Sequence, residues 1–305
     1  MADFEGLEQR ALLVSFAKSA WPGVAPDKEA DKDIMAARGN KAGTTKTQKW
    51  LVDENEIKKV HKAFNAVYLF WVENTTPWEL KRGGARLANG PIYRRLMDAI
   101  NTDTSEGQEL GYLIRAAYAA ADDFEAIYPR LVEEAKADLN GLYNAKNYPS
   151  AQAIRGCFSI SVTDAPLPLS PESLTLRFMG RDDLDRLKAR LEGGYKASEA
   201  AAMGDLFKRL AAAVKHAAEK LSDPKAIFRD SLVENISELA ELIPQLNFKG
   251  DPELDALAKE AARRLAGIDP ETLRNDLKVR GRVAGEAGEL LGAITGAGAR
   301  FIDMS

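Results

Sequence analysis

Cysteine occurs once in these 305 residues, at Cys157, and histidine only twice, at His61 and His216. One thiol cannot build an internal disulfide framework, which fits a protein of the reducing cytoplasm. Three scattered soft ligands also fall short of the four that a structural zinc site takes. Long apolar runs are missing as well, since none approaches the roughly eighteen residues that a membrane helix needs. The opening MADFEGLEQR carries acids where a signal peptide would carry basic residues, so export is not expected. Catalytic signatures are absent too: there is no G-x-S-x-G elbow. The stretch from Arg38 to Thr45 has the flavour of a phosphate loop, but it is one residue short and lacks the lysine before the threonine pair. Asp230 and Glu234 would share a helix face, yet acids spaced four apart on a charged helix are ordinary surface features. The expectation is a protein with no catalytic residues, no metal and no cofactor.

What the chain does have is helical periodicity. Leu110, Ile114, Ala117, Ala121, Phe124, Tyr128, Leu131 and Ala135 alternate steps of four and three, the repeat of helices packed side by side. This predicts a spine of about forty residues over 105–144, about 60 Å long at 1.5 Å per residue. Pro129 lies inside it. The apolar register is unchanged across the proline, which favours a kink over a break after Tyr128. A second stripe, Met203, Phe207, Leu210, Val214, Ala217 and Leu221, follows an interruption at Gly193-Gly194 and is the spine's natural partner. Further helices follow Ser222-Asp223-Pro224, Asp251-Pro252 and Asp269-Pro270, where an acid caps and a proline tolerates the first helical position. The glycine-rich tail from Gly292 is expected to fray.

Extended structure is scarce. Residues 158–162 and 174–178 alternate with period two, and 11–17 reads as a third strand or a short helix. The fold class is therefore mostly α: an elongated antiparallel helical bundle with a small β element. Residues 1–103 form a basic N-terminal region and 104–305 the bundle, with a β insertion at 158–179.

Charge is uneven. The chain carries a net −4, but its first hundred residues hold sixteen Lys and Arg against thirteen acids. An anionic partner should therefore look to this end. No acid occurs between Ile34 and Val52, where Arg38, Lys41, Lys46 and Lys49 precede Trp50. Such a loop is either solvated surface or a contact for nucleic acid. A second acid-free patch holds Lys81, Arg82, Arg86, Arg94 and Arg95, flanked by Trp78 and Tyr93. Cations interleaved with aromatics are what single-stranded nucleic acid sites use, because phosphates need charge and unstacked bases need flat surfaces. Between the patches, Phe64, Tyr68 and Trp71 recur at helical spacing and read as core rather than as a base-stacking platform.

Several phrases carry a resemblance: Trp21 to Gly23, the Lys/Gly-rich stretch Lys41 to Lys49 before a helix from Leu51, Thr76-Pro77-Trp78, Asn147-Tyr148-Pro149, Pro166-Leu167-Pro168 and Phe228 to Val233. The chain resembles an uncharacterised, mostly helical bacteriophage protein family with no assigned activity. The resemblance implies a phage origin, and a protein partner of the AAA+ ATPase type. The combined expectation is a non-enzymatic, oligomeric binding protein of the host cytoplasm that contacts DNA or RNA through its N-terminal region. The alternative is an assembly or adaptor factor with a protein partner.

Overall fold

The computed structural model describes residues 7, 10–39, 41, 44, 46–78, 84–167 and 180–302. In chain order its elements are β1 (Ala11–Ser19), β2 (Val24–Pro26), α1 (Lys28–Arg38), β3 (Gln48–Trp50), α2 (Glu54–Glu73), β4 (Thr76–Pro77), β5 (Arg86–Asn89) and α3 (Gly90–Ile100). There follow α4 (Tyr112–Leu139), β6 (Ser159–Pro166), α5 (Arg181–Ser222), α6 (Ser231–Leu246), α7 (Pro252–Ala261), α8 (Pro270–Asn275) and α9 (Leu277–Ile302). The protein is mostly α with a small sheet, as the periodicity predicts. One four-stranded sheet has the order β4-β5-β1-β6, and β2 pairs with β3 in a separate ribbon. Strands are found at 11–19 and 159–166, where two were expected; the third, 174–178, lies outside the described residues. The chain divides into two compact units that interleave: residues up to 15, 72–95 and from 163 onward form one, and 16–71 with 96–162 the other.

The second unit is built around α4. Its buried residues, Ile114, Ala117, Ala121, Phe124, Tyr128, Leu131 and Ala135, are those of the four-three repeat after its first member, Leu110, which precedes the helix and is half-buried. The helix is shorter than predicted, 28 residues, and Pro129 lies within it without ending it. A proline costs about 3 kcal/mol in a helix interior. Burying Ile114, Phe124 and Leu131, at about 1.5–3 kcal/mol each, more than offsets that. The start is delayed by a loop folded around the buried Asn101. Its amide donates to the carbonyls of Asp103 (2.7 Å) and Glu109 (2.8 Å), and its own carbonyl accepts from the Gly111 amide at 3.0 Å. Gly111 is packed so closely that a Cβ would lie 2.4 Å from the Ala99 carbonyl.

In the first unit, α5 spans 42 residues, about 63 Å at 1.5 Å per residue. The Gly193-Gly194 pair does not interrupt it, because both glycines are exposed and the helix pays only their modest propensity cost. The long partner of α5 within the unit is α9, which buries Val283, Ala287, Leu290 and Ile294. The sequence pattern pairs α5 with the spine; within its own unit the long helix packed on α5 is α9. Nor does the tail fray up to Ile302. Phe301 stacks on Phe207 at 5.5 Å, and Arg300 pairs with Asp251 (2.6 Å) and Glu253 (2.9 Å). A separate cluster of Leu7, Ala11, Leu13, Trp78, Leu87 and Leu167 packs beneath β1 and β5.

Gly111→Ala forces a methyl into backbone and should destabilise the protein by about 3 kcal/mol. Gly288→Ala, on α9 with nothing within 4 Å of the new methyl, should be neutral or stabilising. Urea unfolding of the two variants reads the contrast directly, and equal midpoints would refute the close approach.

Candidate nucleic-acid interface

The first basic stretch of the sequence becomes a pinned ribbon in the second unit. β2 and β3 pair antiparallel, with Val24 opposite Trp50, Ala25 opposite Lys49 and Pro26 opposite Gln48. Between them runs α1, which buries no residue. Asp27 caps α1 by accepting the Ala30 amide at 3.1 Å. The helix ends at Gly39, whose left-handed φ of 65° turns the chain away.

The loop that leaves Gly39 is fastened at its far end by Thr47. The Asp27 amide donates to the Thr47 carbonyl at 3.0 Å, and the Thr47 amide donates to Asp31 Oδ1 at 2.6 Å. The Thr47 hydroxyl has one proton to give and two acceptors in range, the Asp27 carbonyl at 2.8 Å and Asp31 Oδ1 at 2.9 Å. Midway, both the Thr44 amide and hydroxyl donate to the Lys41 carbonyl, at 3.2 and 2.7 Å, closing a small turn. The order helix, loop, strand is the reverse of a phosphate-loop motif, which runs from strand to helix.

The fates of the predicted cations differ. Arg38, Lys41 and Lys46 are exposed and have no ion-pair partner among the described residues. Lys49 is half-buried, and its Nζ donates to the Leu142 carbonyl at 2.6 Å. Trp50 is 40% exposed, with the Lys58 ammonium 5.8 Å from its ring centre. The ribbon is held from below by Tyr148, whose hydroxyl donates to the Leu51 carbonyl at 2.8 Å. Burial pushes that phenol up to about 12, with the neighbouring Tyr143 adding to the shift.

The second predicted patch is placed otherwise. Trp78 is 3% exposed and packs edge-on against Tyr195 and Phe248, with ring centres 5.8 and 6.0 Å away. Arg86 is half-buried and donates to Thr75 Oγ1 (2.7 Å) and to the carbonyls of Val72 (3.1 Å) and Thr75 (2.7 Å) at the end of α2. Tyr93 donates to Asp164 at 2.9 Å, while Arg94 and Arg95 are exposed on α3. Lys81 and Arg82 lie outside the described residues. Cys157 is half-buried, its thiol 3.6 Å from the Ala153 carbonyl, and Asp230 pairs with Arg274. Among the described residues, no three His, Cys, Asp or Glu side chains gather in a metal-holding group, and no helix is long and apolar enough to cross a membrane.

The anchoring role of Asp31 and Thr47 was not visible beforehand, because a bond between residues sixteen apart has no local signature. The chain matches no protein-family model, no curated protein and no solved structure.

Thr47→Val removes the hydroxyl donor that faces the Asp27 carbonyl and the Asp31 carboxylate, leaving the amide bond to Asp31 in place, and should cost about 1 kcal/mol. It should also speed tryptic cleavage after Lys41 and Lys46. Digestion at the parental rate would show that Thr47 does not fasten the loop.

Proposed function

We propose that the protein is a non-enzymatic binding protein of phage origin whose ribbon, α1 to β3, contacts nucleic acid. One observation carries the reading: Arg38 at the end of α1, with Lys41 and Lys46 on the loop that Thr47 fastens, stand exposed and without ion partners among the described residues, beside the half-exposed Trp50. Cations already paired with carboxylates must break those pairs to neutralise a phosphate. Unpaired ones release only counterions, which is a favourable process at low salt. Lys49 adds positive potential from just behind the loop. In this reading α5, α6, α7 and α9 form an antiparallel helical bundle, and the chain acts as an oligomer.

The second reading is an assembly factor for a protein partner. It is favoured by the N-terminal half of α5, which buries no residue before Ala200 while Leu184, Leu187 and Leu191 share one face and Leu191 is exposed.

Fluorescence anisotropy with labelled DNA or RNA over a salt series tests the first reading. Replacing Arg38, Lys41 and Lys46 by Glu should flatten the slope of log affinity against log salt by about 2, at about 0.7 per single-strand phosphate. Absence of binding by the parental protein at low salt, to DNA and RNA alike, would end it.

A further inference from the structure

A cleft of about 510 Å³ opens in the second unit between the end of β1 and the first half of α2, lined by Lys18, Ala20, Pro22, His61, Lys62 and Asn65 among others. It differs in charge from three other clefts formed by the described residues. The groove beside α1 sets Asp27 and Glu29 against Lys28 and Lys49, and the cleft at Arg263, Arg264 and Arg282 includes Glu286 and Glu289. The cleft beside Arg10 holds that single charge. Here two lysines line the walls and, among the described residues, no carboxylate does.

The groups are also positioned. The Lys18 ammonium donates to Asn65 Oδ1 at 3.2 Å and lies 5.1 Å from the Tyr68 ring centre, so it has protons left to give. His61 is held by Trp21, whose carbonyl lies 2.9 Å from Nε2; a carbonyl only accepts, so Nε2 carries a proton. Lys62 is exposed and has no ion-pair partner among the described residues. One helical turn on from Asn65 and about two from Lys62, Tyr68 and Leu69 are 38% and 46% exposed, where the other large residues of the stripe, Phe64 and Trp71, are buried. Tyr68 leans on Phe16 and Trp71, with ring centres 5.7 and 5.8 Å away, which fixes the ring while leaving part of it to solvent. From residue 61 to 68 the helix rises about 10 Å.

We infer that this cleft is a second contact for nucleic acid and selects single strands: Lys18 and Lys62 hold backbone phosphate, and Tyr68 stacks an unpaired base. The inference rests on the nucleic-acid reading above and sharpens it. A duplex could use the lysines but has no free base face for Tyr68, whereas a single strand uses both.

The test measures anisotropy of labelled oligo-dT and of a duplex of equal length with the full chain. Tyr68→Ala should weaken oligo-dT binding roughly tenfold and leave duplex binding within about twofold, and Tyr68→Phe should restore it. Lys18→Gln with Lys62→Gln should flatten the oligo-dT salt slope by about 1.4. Lys62 is exposed, so Lys62→Gln alone serves as a folded control, with half that effect. If the loop variants at Arg38, Lys41 and Lys46 weaken oligo-dT while the cleft variants do not, the cleft is overturned and the ribbon stands. If Tyr68→Ala weakens duplex and single strand equally, strand selection is overturned. If the parental protein binds neither, both readings fall.

Discussion

Trp21 is the side chain on which the second unit turns. Its ring meets Tyr128 edge-on at 5.6 Å, Phe124 at 6.2 Å and Tyr148 at 6.4 Å, and its carbonyl holds His61. The Trp-Pro-Gly sequence ends β1, so the same residue that stops one element anchors the next against α4. Aromatic pairs at these separations contribute about 0.5–1.5 kcal/mol beyond their buried area. The cluster therefore fixes where β2 starts, and Tyr148, one of its members, fixes where β3 ends. The basic loop leaves this ribbon between Gly39 and Thr47, and Thr47 is bonded to Asp27 and Asp31.

Several arginines serve a different purpose, and the same physics explains each. The last carbonyls of a helix have no intrahelical donor and carry the negative end of its dipole. At the end of α2 the Val72 and Thr75 carbonyls receive Arg86, and Arg209 adds bonds of 3.0 and 2.7 Å to the same two oxygens and 2.6 Å to Glu73. Arg280, only 4% exposed, gives its protons to the carbonyls of Lys220, Leu221, Asp223 and Ala226 at the end of α5 while lying 5.1 Å from the Phe228 ring centre. Arg209 also pairs with Asp205 at 2.7 Å, whereas the Nε and Nη2 protons of Arg280 are shared among four carbonyls.

This is where the sequence stops being legible. Periodicity found the apolar face of α4 residue by residue, and the class of fold followed from it. It could not separate Arg86, which closes a helix, from Arg38, which faces solvent, since both sit in acid-free stretches. Trp78 looked like a flanking aromatic and is core, because its partners Tyr195 and Phe248 are more than a hundred residues away. The Gly193-Gly194 pair suggested an interruption, but two exposed glycines within 42 helical residues are outweighed by the rest. The tail suggested fraying because glycine dominates it, and what holds it are the contacts of Arg300 and Phe301 with distant residues. For Trp78 and the tail the local signal was real and a long-range contact overrode it. The two units interleave for the same reason: strand pairings such as Leu13 with Leu87 join segments that composition gives no cause to associate.

Tyr68 follows the opposite course. By spacing it belongs to the buried stripe of α2, one position after Val67 and three before Trp71, and it would be assigned to the core with them. The helix turns 100° per residue, so a neighbour of a buried position is carried toward the edge of the apolar face. There the ring is half supported by Phe16 and Trp71 and half in water, with Lys18 above it. An aromatic so placed is held by hydrophobic burial on one side and left available on the other, at little cost in side-chain entropy when something flat and anionic arrives. The packing that makes α2 a core helix leaves this one ring at its margin, where the proposed single-strand contact would use it.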